Sequence, residues 1–384
     1  MRNKKRFGAL LLAGVMALGM CMNTTVFAEK VPTVGNQEGT EQKVPTVGNQ
    51  EGTEQQTASA GITKRFEMAE GLDVPAATFK FTVEKAQGND GPEATISNIT
   101  YQAEENKGQV QNGKYAIEKT SAITFDGNFP HVGEYVYTVK EKDESTTNPS
   151  ITYPKEQYTL RVRVANGANN NSLYIKDITA ERDRSNGTET NKVAKISFTN
   201  TYRKNVSLEI RKATTGTLAD KTKQFNFKIT FGKSATEDKL EDFQGTITRK
   251  GSATTETVTC TKGSATFTLA DGDVLKFENL PAGTKYTVTE VEGDKDGYTP
   301  HVRVTDNGIR GEVSKGTDGT DLSSSQNGNY AGENGNIVEF ENKYVENPAT
   351  GIIMNNLPFI LLIGVAVLAF GTLAFVKKRR TSGR

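Results

Sequence analysis

Two sets of three polar residues stand out in this 384-residue chain: Lys64, Glu141 and Asn200, and then, in the same order, Lys212, Glu290 and Asn342. Each lies in phase with an alternating apolar run. Lys64 follows Ile62, Lys212 follows Leu208 and Ile210, Glu141 follows Tyr137 and Val139, and Asn200 follows Ile196 and Phe198. A period of two marks strands with one buried face, so these polar groups are expected to point inward. Burying a Lys, a Glu and an Asn together is costly unless they satisfy one another. Desolvation lowers the Lys pKa and raises the Glu pKa, so both can be neutral: an amine nucleophile beside a carboxylic acid able to polarise the Asn amide. For the amine to be mostly neutral at pH 7, its pKa must fall by roughly three units from about 10.4, within the reach of full burial. The amine then attacks the Asn side-chain carbonyl, Glu141 or Glu290 shuttles the proton, and ammonia leaves. The products are isopeptide bonds Lys64–Asn200 and Lys212–Asn342, made without redox chemistry. Any one of these residues alone reads more simply, as a solvated Lys at a strand edge, a Glu opening an acidic turn or an Asn starting a loop. The recurrence of the whole triplet in one order favours the chemistry.

The elements that must position these groups repeat as well. Ile62-Thr63-Lys64-Arg65 followed by Phe79-Lys80-Phe81 matches Ile210-Arg211-Lys212 followed by Phe225-Asn226-Phe227. Gly133 to Glu141 matches Gly283 to Glu290, and Ile196 to Asn200 matches Val338 to Asn342. Alternation at Phe79, Phe81 and Val83, at Tyr158, Leu160, Val162 and Val164, and at Phe225, Phe227 and Ile229 is broken by Gly-, Asn-, Asp- and Ser-rich stretches. No long amphipathic helix is legible. The expected fold class is all-β, two tandem immunoglobulin-like β-sandwich domains over 59–203 and 204–345.

Outside them the chain changes character. Residues 1–28 carry four basic groups and no acid, an apolar run from Leu10 to Met22, and Val26-Phe27-Ala28 before the expected cut, the pattern of a cleaved secretory signal peptide. Residues 29–58 contain Lys30–Gln42 repeated letter for letter at Lys43–Gln55, with almost nothing to bury, and are expected to form a disordered stalk. Leu357–Val376 holds 20 residues without a charge, about 30 Å as a helix, followed by Lys377-Lys378-Arg379-Arg380. Asn347-Pro348-Ala349-Thr350-Gly351 precedes it. Pro-x-Thr-Gly, an apolar span and a basic tail, in that order, resemble the cell-wall sorting signal of Gram-positive surface proteins, and residues 346–384 are expected to act as one; a plain membrane anchor is the alternative.

Charge and motifs exclude other classes. The whole chain has 47 basic and 46 acidic groups, but removing four from residues 1–28 and five from residues 351–384 leaves 38 basic against 46 acidic, a net −8. An acidic body argues against nucleic acid, whose phosphates are bound by clustered Lys and Arg. There is no phosphate-binding G-x-x-x-x-G-K-[ST], no H-E-x-x-H and no C-x-x-C; no cofactor and no metal is implied. Asp294-Lys295-Asp296-Gly297 lacks the first ligand and the closing Glu of a calcium loop and reads as a turn. Cys260 is the one Cys left after the signal peptide, so no internal disulfide is available, and it is expected to be a buried structural thiol.

From about Gly61 to Gly351 the chain resembles Gram-positive backbone pilins of the streptococcal T-antigen type, with Phe198-Thr199-Asn200-Thr201-Tyr202 and Tyr286 to Glu290 similar to that family's domain signatures. The resemblance implies CnaB-like domains carrying self-formed isopeptide bonds, and a shaft subunit that a sortase cleaves between Thr350 and Gly351 and joins to a Lys of the next subunit. It implies peptidoglycan or the pilus as the final site of attachment, and no turnover enzyme. In the family the acceptor Lys lies shortly before the bond-forming Asn of the first domain. Lys192 fits best, with Lys195 nearby. Lys155, in Tyr153-Pro154-Lys155, matches the acceptor tripeptide of another pilin class, which adds a Trp this chain lacks. Two departures are Asn347 where the commonest sorting motif has Leu, and the duplicated stalk. The alternative reading is a monomeric wall-anchored adhesin that binds a host surface ligand through its loops.

Overall fold

The computed structural model describes residues 51–168, 172–183, 190–291, 296–324 and 328–344. The expected signal peptide, the first copy of the repeat, the apolar span and the sorting motif with Pro348, Thr350 and Gly351 lie outside them. The described residues form strands and connecting turns with no helix, in two tandem β domains.

In the first domain one sheet runs Glu93–Ile96, Lys114–Asp126, Ala60–Ala69, Ile196–Tyr202, Ile151–Thr152. The second runs Thr190–Val193, Leu173–Asp183, Gln157–Asn166, Gly133–Glu141, Phe81–Lys85. They face each other through aromatic contacts such as Phe81 against Phe198 at 5.6 Å and Tyr158 edge-on to Phe198 at 5.3 Å. The second domain repeats the plan. A seven-stranded sheet has Asn205–Thr215 and Ile337–Tyr344 near its middle, and Phe225–Gly232 and Lys285–Val291 form the heart of the facing sheet. Phe227 against Phe340, at 5.1 Å, joins the two layers.

The first and last strands of each domain are adjacent and parallel, with Lys64 opposite Phe198 and Lys212 opposite Phe340. A parallel pair needs a crossover, and here the rest of the domain is that crossover. Each domain is therefore closed by its own two ends. The alternation Phe79, Phe81, Val83, which reads as one strand, is divided by the structure. Ala77–Phe79 pairs with Ile99–Tyr101 and Phe81–Lys85 pairs with Gly133–Glu141, so the partner strand changes at Lys80 while Phe79 and Phe81 both stay in the core.

Ordered contacts also begin before the first strand, within the stretch read as a disordered stalk. Gly52 N donates to Lys176 O at 2.6 Å and Ala58 N to Ile175 O at 2.8 Å, so residues 51–58 run beside the strand Leu173–Asp183. These are backbone bonds, which a composition of Gly, Thr and Glu does not announce. Between the domains only Arg203 and Lys204 separate Tyr202 from the strand Asn205–Thr215. The joint is held by Glu333 N on Gly71 O at 2.8 Å, by Asp73 N on the Glu333 carboxylate at 3.0 Å, and by ion pairs Lys285–Glu70 at 3.3 Å and Arg203–Glu237 at 3.0 Å.

Candidate crosslinking site

Lys64 sits mid-strand in Ala60–Ala69 with its side chain fully buried between the layers. Its Nζ donates to Asn200 Oδ1, and to the backbone oxygens of Arg65 and Phe198 at 3.3 Å each. The Phe79 ring lies 4.2 Å from the nitrogen, covering it with apolar surface. Glu141, at the buried end of Gly133–Glu141, spans the other two groups. Its Oε2 is 3.7 Å from Lys64 Nζ, and its Oε1 accepts from Asn200 Nδ2 at 2.8 Å. The carboxyl thus has one oxygen toward the amine and the other toward the amide nitrogen. Asn200 is fully buried and presents its carbonyl to the amine and its NH2 to the acid.

The electrostatics follow from this burial. Desolvation draws the Lys64 amine down to about 8, against the raising effect of Glu141. The same desolvation raises Glu141 to about 7, opposed by Lys64 and by the Asn200 hydrogen bond. In water an amine and a carboxylic acid differ by about six pKa units, and here most of that gap is gone. Exchanging the charged pair for a neutral amine and a protonated acid becomes cheap, which is what an amine nucleophile needs.

The second domain brings the corresponding groups inside. Lys212 Nζ donates to Asn342 Oδ1 at 2.8 Å and to Ala213 O at 2.9 Å, with the Phe225 ring at 4.0 Å. Lys212 and Asn342 are buried, and Glu290 is fully buried on Lys285–Val291, opposite Phe227. Both domains thus place an aromatic ring over the amine, Phe79 in one and Phe225 in the other. In the sequence these rings look like ordinary core residues; their recurrence two residues before Phe81 and Phe227 is the signal that pairs them with the lysines.

The remaining site residues lie on the surface. Lys192 is exposed on the edge strand Thr190–Val193, opposite Glu181. Lys195 is exposed and ion-paired to Glu118 at 3.3 Å, and Lys155 is exposed just before Gln157–Asn166. Cys260 is fully buried at the end of Thr255–Cys260, where desolvation pushes its thiol up to about 11 and leaves it inert.

Residues 60–203 match a family model described as a Spy0128-like isopeptide containing domain, and residues 206–344 match one described as a domain of unknown function (DUF7601). Over 333 residues the chain is 27% identical to a pilin of Streptococcus pyogenes serotype M1, covering 84% of this chain and 91% of that protein. A stretch of 84 residues is 44% identical to the pilus tip adhesin Cpa of Streptococcus pyogenes, covering 22% of this chain and 11% of that protein. The crystal structure of the major pilin from Streptococcus pyogenes is similar at 23% identity, covering 76% of this chain and 99% of that one, with a TM-score of 0.35. The likeness to a streptococcal pilin is carried by the sequence comparison and the first family model.

Proposed function

We propose that this chain is a structural subunit of a covalently polymerised cell-surface pilus, and that each of its domains locks itself with one isopeptide bond. The observation that carries the second half is the bridging carboxyl of Glu141. In the proposed reaction the neutral Lys64 Nζ attacks Asn200 Cγ. The proton released by the nitrogen passes to Glu141 Oε2, a proton from Glu141 goes to Nδ2 through Oε1, the Cγ–Nδ2 bond breaks, and ammonia leaves. Lys212, Glu290 and Asn342 take the same parts in the second domain. Each site reacts once, on itself, so this is not turnover catalysis.

Polymerisation rests on the pilin relative and on the sorting pattern at Pro348 to Gly351. A sortase would hold the Thr350 carbonyl and pass it to a Lys of the next subunit, with the wall peptidoglycan as the final acceptor. Lys192 is the proposed acceptor, because an edge strand presents its amine outward; Lys155 and Lys195 are the alternatives. The second reading is a monomeric wall-anchored adhesin for a host ligand, although the adhesin that an 84-residue stretch resembles is itself named as a pilus tip protein.

Intact mass of the recombinant chain from Glu29 to Thr350 tests the crosslinks. Two bonds remove two ammonia molecules, a deficit of about 34 Da, and Glu141→Ala or Glu290→Ala should each restore about 17 Da while leaving the domain folded. A full-mass product from the unchanged chain would remove the isopeptide reading. Polymerisation is read separately, from wall extracts on a denaturing gel. A pilus subunit gives a high-mass ladder that Lys192→Ala abolishes, whereas an adhesin gives one band.

A further inference from the structure

The duplicated stalk is used by neither reading above, yet the end of its second copy is docked. Thr53 and Gln56, the residue just past the repeat, close a tight turn around its end, with Thr53 N on Gln56 O at 2.8 Å and Gln56 N on Thr53 O at 3.1 Å. The turn aims Glu54 at the first domain, where its carboxylate accepts from Ala168 N at 2.8 Å and from the Ser172 hydroxyl. These two bonds hold the Glu54 carboxyl below its ordinary range. Gly52 is fitted as closely. A Cβ built there would lie 2.3 Å from Ile175 O and 2.3 Å from Ala58 N, so no other residue can make the Gly52 N to Lys176 O bond in this pose. The dock thus requires a Gly followed two residues later by a Glu, with Thr between them to close the turn.

The first copy of the repeat carries the same letters in the same order: Glu38-Gly39-Thr40-Glu41-Gln42 against Glu51-Gly52-Thr53-Glu54-Gln55. We infer that the dock formed by Gly167, Ala168, Ser172, Ile175 and Lys176 accepts either copy of the repeat from its own chain, so that the N-terminal segment has two tethered registers thirteen residues apart. The occupant of the second register is residues 38–42. The second copy holds the advantage, because Thr57 and Ala58 next to it add their own bonds to Ile175. The first copy reaches the dock by looping out residues 43–55, and a flexible loop of that length costs roughly one order of magnitude in effective concentration relative to a very short one. A register change shortens the free N-terminal segment by thirteen residues, about 45 Å of extended chain.

Hydrogen exchange at the Ala168 amide in the mature chain reads the occupancy of the dock whichever copy fills it. Glu54→Ala is expected to keep that protection within about tenfold of the parent, because Glu41 replaces the lost carboxylate. Glu41→Ala alone should change nothing. Glu41→Ala/Glu54→Ala should lose at least about a further tenfold, and added synthetic peptide Lys30–Gln42 at about millimolar concentration should restore it, while the same peptide with Gly39→Val should not. Loss in Glu54→Ala as complete as in the double variant would overturn the inference. So would full protection in the double variant, or a failure of the unaltered peptide to restore it.

Discussion

At the scale of single residues, the proposed crosslinking turns on a proton shared between Lys64 and Glu141. With the amine drawn down to about 8 and the acid raised to about 7, the pair holds one proton between those values, two below and none above. Only the one-proton state contains the neutral amine beside the protonated acid. Crosslinking of the first domain in freshly translated chain, followed by its loss of about 17 Da, should therefore show a bell-shaped rate between about pH 7 and pH 8, falling on both sides. The same shifts act on stability before the bond forms. The lowered Lys64 costs stability as pH falls from its unfolded value toward about 8, and the raised Glu141 costs stability as pH climbs from its unfolded value toward about 7, so both costs are in full force between those two values. These two groups thus make the uncrosslinked domain least stable where it reacts fastest, and the bond removes that cost. A rate that rose steadily to pH 10 would mean that the amine reacts without the acid.

At the scale of elements, the consequence lies in the parallel pairing of first strand with last. A bond from Lys64 to Asn200 closes a loop of 136 residues, and one from Lys212 to Asn342 a loop of 130. By the chain-entropy argument, tying loops of that size stabilises each domain by about 4–5 kcal/mol. Glu141→Ala should lower the guanidinium stability of the first domain by about that amount, with the second domain unchanged; a loss below about 1 kcal/mol would show that the crosslink does little for folding. The strands that make this arrangement were legible in the sequence, because Lys, Glu and Asn each fell in phase with apolar neighbours and did so twice. The parallel pairing was not, since periodicity says which face is buried and nothing about which strand lies alongside. The break at Lys80 was hidden for the same reason, as Phe79 and Phe81 look like one alternating run. The docked residues 51–58 escaped because backbone bonds and a single carboxylate leave no hydrophobic pattern.

At the scale of the whole molecule, the joint between domains is built on close backbone approach. Gly283, with φ +79°, has Ala69 and Ser234 where a side chain would go, and Gly71, with φ +88°, faces Tyr330 and Gly332. Gly283→Val should splay the domains and raise the maximum dimension seen by small-angle scattering, while each domain keeps its own melting temperature. An unchanged scattering profile would mean that the ion pairs Lys285–Glu70 and Arg203–Glu237 alone set the angle. The position of the proposed bonds has one more consequence, which concerns tension. In a polymer joined through Lys192 and Thr350, a pulling force would enter near the edge strand Thr190–Val193, run along Ile196–Tyr202 into Asn205–Thr215, and cross from Lys212 to Asn342 on its way out. Residues 213–341 would then carry none of it, and the parts of the first domain before Lys192 would hang beside the line of force. Such a subunit can be stretched only as far as those few covalent segments allow, and the rest of each domain can unfold or be cut by a protease without parting the fibre.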